Sequence, residues 1–425
     1  MPDSADAVRD YVKNSETVIP RGLGRSYGDS SLNDFVMSML NLNRILGFDE
    51  QTGLLECESG VGLDKILEIF VPRGWFLPVT PGTKYVTVGG AIASDVHGKN
   101  HHKEGSFSDH VVSITVLLPD GEITACSKKS NPGLFAIVCG GMGLTGIIIS
   151  AKFRLVRIHS AYIKQKTVKA RNLNEIMELF ENYCTSTYSV AWIDCLAKGD
   201  NLGRSILMVG EHAGIDEIKG LNNSRSELAP TKKKKLDIPV AFPNFVLNNA
   251  TIKCFNFLYY HKHSQGTQES VVDYETFFYP LDSVTNWNRI YGVRGFTQYQ
   301  FVIPKAAGKT GLKRIMQRIS DSGMGSFLAV LKLFGRGNNN IMSFPMEGYT
   351  LALDFPMSLR LLPFLDELDS IVLDFGGRLY LTKDVRMSCF MARKSYAGFM
   401  EFAERKNQLD NKGKFQSFQS RRLGL

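Results

Sequence analysis

Two glycine-dense segments carry the first chemistry in this chain. Pro20-Arg-Gly-Leu-Gly-Arg-Ser-Tyr-Gly-Asp29 follows one apolar run, and Pro81-Gly-Thr-Lys-Tyr-Val-Thr-Val-Gly-Gly-Ala-Ile-Ala-Ser-Asp-Val-His-Gly-Lys-Asn100 follows another. Glycine lets the main chain come close to a ligand, and successive bare N–H groups in a turn form a concavity for anions. A diphosphate is the natural occupant. One such loop is usually only a turn. Two in order, each with Ser or Thr donors beside β-branched strand formers, point to a long, flat, phosphorylated dinucleotide.

A third cluster, Gly140-Gly-Met-Gly-Leu-Thr-Gly146, contains a formal G-x-G-x-x-G at Gly141, Gly143 and Gly146. A Rossmann site needs that motif between a strand and a helix, with an acidic residue about 20 positions on. Here the motif runs into Ile147-Ile-Ile-Ser-Ala-Lys-Phe-Arg-Leu155, which is β-branched and alternating and therefore a strand. The cluster reads instead as a strand-to-strand turn that still touches the cofactor, through Gly143, Gly146 and Ile147.

Other chemistries find less support. Adjacent histidines such as His101 and His102 point to opposite faces of a strand, and no carboxylate or cysteine completes a ligand set with them or with His261 and His263, so no metal site is expected. Seven cysteines contain no C-x-x-C pair and their number is odd, which argues against a disulfide framework and for a reducing compartment. The net charge is +8, but no basic stripe interleaved with aromatics suggests nucleic acid. Lys232-Lys-Lys-Lys235 lies in a proline-rich, aperiodic segment, 222–244, read as a mobile basic loop; runs of this kind are usually solvated, and the alternative is attraction to anionic lipid headgroups. No stretch approaches the roughly 20 apolar residues of a membrane span, and Met1-Pro-Asp-Ser-Ala-Asp6 lacks a signal-peptide pattern, so a cytoplasmic protein is expected.

The elements that must position these residues follow two grammars. Up to about residue 155, short strand-like runs alternate with glycine and proline, and one helix is predicted over 63–71, with Leu63, Ile66, Leu67 and Phe70 on one face and Pro72 as its stop. Beyond Val156, helical patterns at 172–184, 305–322 and 359–375 alternate with strands at 188–195, 204–210, 296–303, 326–333 and 349–355. After Met391 the pattern is helical and polar. A length of 425 residues and an apolar content of 44% suit a globular α+β enzyme of more than one domain.

Several segments together resemble the decaprenylphosphoryl-β-D-ribose 2′-oxidase family of vanillyl-alcohol-oxidase-like, PCMH-type flavoproteins. They are Arg21–Gly28, Thr87–His102, Ser189–Asp194, Gln298–Pro304, Lys332–Gly335 and Gly376–Asp384, in matching order and spacing. The resemblance implies a FAD domain over 1–157, a substrate domain over 158–390 with an antiparallel sheet above the flavin, and a C-terminal segment, 391–425, that returns to the FAD domain. It implies FAD, and oxidation of the 2′-hydroxyl of a polyprenyl-phosphoryl ribose to the 2′-keto sugar. A separate short-chain reductase would then complete the epimerisation. The lipid-linked substrate implies work at the inner face of a membrane, reached through the basic loop.

Residue by residue, the resemblance assigns Lys383, Tyr27, Gln300 and His97 to the reacting pocket. Lys383 is the first choice: a desolvated lysine can accept a proton or stabilise an alkoxide, although a lysine beside an aspartate, here Asp384, commonly just pairs with it at the surface. Cofactor contacts are expected from Arg21, Gly22, Leu23, Gly24, Arg25, Ser26 and Gly28 in the first loop. The second loop would supply Pro81, Gly82, Thr83, Thr87, Gly89, Gly90, Ala93, Ser94, Gly98 and Asn100. Lys99 and Lys332 are candidate phosphate contacts, Trp192, Tyr291 and Phe334 apolar walls, and Gln298, Thr350 and Ala352 further substrate contacts.

Two departures from the family pattern carry predictions. Covalent members of the wider class have a histidine in the first glycine loop where this chain has Arg25, which cannot form the flavin bond, so FAD is expected to bind non-covalently. Many family members have a cysteine where Ala352 stands. The alternatives are an aldonolactone or alditol oxidase built on the same scaffold, and a non-catalytic flavin-binding protein.

Overall fold

Alternation of apolar and polar residues along 147–154 makes Ile147–Arg154 a half-buried strand, and it is the centre of the first sheet. The structure is a computed structural model that describes residues 1–219, 227–229 and 234–425. This five-stranded antiparallel sheet runs in the order Ile45–Asp49, Leu54–Glu58, Ile147–Arg154, Val111–Leu117, Ile123–Cys126. Helix Leu63–Phe70 buries Leu63, Ile66, Leu67 and Phe70, the stripe its spacing predicts, and gives way to a 3₁₀ turn containing Pro72. The third glycine cluster does not join two strands. It leads from helix Pro132–Val138 into strand Ile147–Arg154, the reverse of the Rossmann order, with Gly140, Met142 and Gly143 at positive φ.

An eight-stranded antiparallel sheet forms the second layer. Its order is Thr267–Asp273, Tyr162–Ala170, Ser205–His212, Tyr188–Ile193, Ala329–Phe334, Gly348–Pro356, Phe296–Pro304, Arg378–Leu379. Side chains alternate between its faces. Tyr299, Tyr349 and Phe355 turn to the helix layer, where Tyr299 donates to Asp369 at 2.8 Å and Phe355 meets Phe364. That layer consists of Leu173–Asn182, Gly308–Ser322 and Leu361–Asp374. The intervening positions face the other way, toward the glycine loops.

Buried polar pins join the early and late parts of the chain. Asp95, fully buried at φ 39°, accepts from the backbone N–H of Ser108 and from the side chains of Asn338, Asn340 and Ser343. At the other end, Phe415 bridges Val18, and Arg422 grips both Asp29 and Asp384. Of the basic run, Lys232 and Lys233 lie outside the described residues. Within the rest of 222–244, Leu236–Asp237 forms a short parallel pair with Val284–Thr285, and Lys235 contacts the Tyr85 hydroxyl.

Candidate active site

Between the two layers lies a cavity of about 1150 Å³, more than the roughly 300–1,000 Å³ of a site for one small molecule. The first glycine loop forms one wall. The backbone N–H groups of residues 22–26 donate to no acceptor among the described residues, whereas the N–H of Tyr27 is taken by the Thr382 carbonyl at 3.0 Å. Five consecutive free donors at a cavity wall are a nest for phosphate oxygens. Glycine is required where walls meet: a Cβ on Gly22 would lie 2.2 Å from Thr87 Oγ1. A Cβ on Gly82 would meet nothing within 4 Å, because that residue faces the open cavity.

The second loop enters the short helix Val88–Ala93, capped by Thr87, whose hydroxyl accepts from Gly90. Ser59 from the adjoining turn and Ser30 beyond the first loop bring buried hydroxyls to the same cavity, and neither has a hydrogen-bond partner among the described residues. Orphaned hydroxyls, a run of free N–H groups and glycines at the points of closest approach fit a dinucleotide with a diphosphate.

The opposite wall is the outward face of the large sheet. Gln300 stands across from Ala352, Ala352 from Val330, Lys332 from Thr350, and Trp192 from Val330. Opposed residues share a face, so these side chains line the cavity together, with Gln298 two positions before Gln300. Gln300 donates to Thr350 Oγ1 at 3.2 Å and to His97 Nε2 at 3.0 Å. Burial, with Lys332, His101 and Lys383 nearby, holds His97 well below the ordinary histidine range, so its imidazole is neutral.

Lys383 occupies a 3₁₀ turn after Arg378–Leu379, with Nζ 4.1 Å from the centroid of the Tyr27 ring. Burial is the main cause that draws it down to about 8; Asp354 opposes the shift and Lys332 adds to it. Lys332 is likewise lowered to about 8 by burial, and Lys99 to about 7 by burial and Lys332. None of the three forms an ion pair among the described residues; Lys99 instead donates to the Phe277 carbonyl. The surface pairing of Lys383 with Asp384 does not occur, because Asp384 turns away to Arg422, Gln419 and the N–H groups of Arg386 and Met387. Burial pushes the Tyr27 phenol far above its usual value, so it stays protonated.

Most residues singled out in the sequence line this cavity: Lys383, Tyr27, Gln300, His97, Lys99, Lys332, Trp192, Gln298, Thr350, Ala352, the first loop from Arg21 to Tyr27, and the second-loop positions from Pro81 to Ser94. Six do not. Gly28 packs under Asp384, where a Cβ would lie 1.9 Å from its carbonyl oxygen; Gly98 abuts Thr80, and Asn100 donates to Pro78 O. Ile147 is core. Tyr291 is buried between Phe296 and Phe327, and Phe334 packs behind His97 against Phe344. Reasoning from sequence missed the mouth of the cavity, where Phe255 and Tyr259 come from helix Asn249–Lys262. In that helix polar residues such as Lys253, Asn256 and Lys262 are mixed with apolar ones around the whole circumference, so it shows little periodicity.

Residues 2–127 match the family model described as the FAD binding domain, and the cofactor is FAD. The fold and cavity therefore define an α+β flavoprotein of the PCMH type, an FAD-dependent oxidoreductase acting on CH–OH groups. Over 417 residues, 96% of this chain and 89% of the relative, the sequence is 40% identical to decaprenylphosphoryl-beta-D-ribose oxidase of Mycolicibacterium smegmatis. The chain belongs to the decaprenylphosphoryl-β-D-ribose oxidase family. An uncharacterised Streptomyces coelicolor protein is 28% identical over 86% of this chain and 100% of its own length. D-arabinono-1,4-lactone oxidase of Candida glabrata is 27% identical over 41% of this chain and 35% of its own length.

Proposed function

We propose that this chain oxidises the 2′-hydroxyl of a polyprenyl-phosphoryl-β-D-ribose to the 2′-keto sugar. The observation that carries the reading is one cavity that combines a diphosphate cradle, three lysines with no ion pair among the described residues and a floor of amide side chains. When bound, FAD supplies the hydride acceptor, held non-covalently by the first and second loops. The chain's own residues do the rest. Gln298 and Gln300 hold sugar hydroxyls, neutral Lys383 takes the hydroxyl proton, and Lys99 and Lys332 meet the phosphate. Trp192, Phe255 and Tyr259 give the polyprenyl tail an apolar exit.

We further propose three segments: a FAD domain over 1–157, a substrate domain over 158–390, and 391–425 returning to the first. Work at a membrane face is also proposed, followed by a short-chain reductase acting on the ketone. Among the described residues no helix is long and apolar enough to cross a membrane; Phe245 is exposed, as are Phe257 and Leu258 on the helix that carries Phe255 and Tyr259. The deciding experiment is anaerobic incubation of the yellow holoenzyme with synthetic polyprenyl-phosphoryl ribose. Bleaching of the flavin supports the reading, and flavin that stays oxidised refutes it.

A further inference from the structure

Asp354 stands on the cavity face of the large sheet, opposite Gln298, yet it does not line the cavity and is 0% exposed. Its Oδ1 accepts from Gln298 Nε2 at 2.6 Å, and its backbone N–H is taken by Ser326 Oγ at 3.0 Å. Oδ2 accepts no hydrogen bond among the described residues. The Tyr291 hydroxyl, also buried and without a hydrogen bond of proper geometry among the described residues, faces the same carboxyl. The other titratable groups near enough to feel the charge of Asp354 are Lys383 and Tyr27, which lie against each other in the reacting pocket. A carboxyl buried with so few donors is costly to fold, and nothing in the packing of the sheet requires one.

We propose that Asp354 is a positioning residue: it turns the Gln298 carbonyl oxygen toward the cavity as an acceptor for a substrate hydroxyl, and it provides the counter-charge of Lys383. This rests on the proposed sugar oxidation. Burial raises the Asp354 carboxyl to about 7, against the opposing pull of Gln298, Lys383 and Tyr291; above that pH it is ionised and only accepts, so Gln298 gives it an N–H, and the oxygen end of the amide is left to the cavity. Gln300, two positions along the strand, has both amide hydrogens engaged by Thr350 and His97 and likewise offers its oxygen. Two acceptors spaced by one strand repeat, roughly 7 Å along the backbone, select a ligand that presents hydroxyl donors on neighbouring carbons. A lactone carbonyl or a carboxylate at the same place would meet oxygen against oxygen.

Two variants separate the roles. Asp354→Asn keeps an acceptor for Gln298 and removes the charge; Asp354→Leu removes both. As holoenzymes, the Leu variant should retain FAD and lose about 10- to 100-fold in kcat/KM for polyprenyl-phosphoryl ribose, the effect of one mis-oriented hydrogen bond. The Asn variant should keep its KM while the rising limb of kcat with pH moves to lower pH, because Lys383 has lost the neighbour that favours its charged form. The pH dependence of Lys383 acylation, read by peptide mass spectrometry, should move the same way and needs no substrate. An unmoved acylation profile in Asp354→Asn, or wild-type kcat/KM in Asp354→Leu, overturns the proposal. Should Asp354→Leu fail to fold, Gln298→Leu takes its place with the same expected loss. If the sugar does not bleach wild-type flavin, the proposed function fails, while the acylation measurement still decides the role of Asp354.

Discussion

His97 Nε2 lies 3.0 Å from Gln300 Nε2, and this pairing decides where the imidazole carries its proton. An amide nitrogen only donates, and Thr350 Oγ1, which already gives its own hydrogen to the Phe301 carbonyl, takes the second amide hydrogen. His97 Nε2 is therefore an acceptor, by assignment from this network. The proton sits on Nδ1, which is buried at the cavity wall without a partner among the described residues. Gln300→Leu should leave FAD bound, release the imidazole to either tautomer, and lower kcat/KM by about tenfold or more. Steady-state kinetics and imidazole NMR on the same preparation check both outcomes.

Lys383 is the group whose charge changes in the working range. Its amine is protonated below about 8 and neutral above it, so a role as proton acceptor makes turnover rise as pH passes through about 8. Lys383→Ala should keep its flavin absorbance and lose most turnover. Lys383→Arg keeps the charge but cannot release the proton, so it should bind substrate and show no rising limb. Stopped-flow flavin reduction across that pH range measures all three proteins.

Gly28 and Gly82 sit in the two cradle loops and should fail differently when replaced by alanine. At Gly28 the new Cβ would meet the backbone carbonyl of Asp384 at 1.9 Å, with Arg422 holding Asp384 in place. Gly28→Ala should lower the melting temperature of the apoprotein, by about 1–3 kcal/mol in stability. At Gly82 a Cβ enters open cavity, so Gly82→Ala should leave the apoprotein melting temperature unchanged and weaken FAD uptake. Thermal melts with and without added FAD distinguish the two.

Much of this site was legible because glycine spacing and strand alternation are local signals. The two glycine loops and a strand over 296–303 follow from them directly, whereas Gln298 and Gln300 as pocket residues come from the family resemblance. What stayed hidden depends on contacts distant in sequence. Asp354 gains meaning only when Gln298 pairs across the sheet and Tyr291 folds over it. Strand Thr267–Asp273 at the edge of the sheet and Tyr162–Ala170 beside it are rich in charged and polar residues, which mask the alternation that would mark them as strands. Gly28 and Asn100 carry the composition of a ligand loop, yet neighbouring backbone consumes their space and hydrogen bonds.

His101 predicts sensitivity to acid. It is 2% exposed, its ring lies 4.4 Å from that of Phe334, and both ring nitrogens lack partners among the described residues. Burial pulls it down to about 3. The fold thus favours the neutral form, so this contribution is complete above the unfolded value of about 6.5 and is lost as pH falls toward about 3, at about 1.4 kcal/mol per pH unit. His101→Leu should flatten that slope whatever it does to stability near neutrality. Melting temperatures recorded from about pH 7 down to about pH 4 give the comparison.

Ala352 stands opposite Gln300 and Val330 on the cavity floor, and no cysteine is among the residues that line the cavity. Cys184 and Cys254 are exposed and Cys389 half-buried, none of them in that lining, and Cys57, Cys126, Cys139 and Cys195 are buried. Burial raises the thiols of the last four, and only the thiolate reacts. A covalent inhibitor that needs a thiol beside Gln300 should therefore leave wild-type turnover intact. Ala352→Cys adds one sulfur to the cavity floor, so the variant should keep turnover before treatment and lose it in step with one adduct at position 352. Inactivation of the wild type with an adduct elsewhere would place the vulnerable thiol outside the cavity, and a labelled yet active Ala352→Cys would mean that this part of the floor does not hold the substrate.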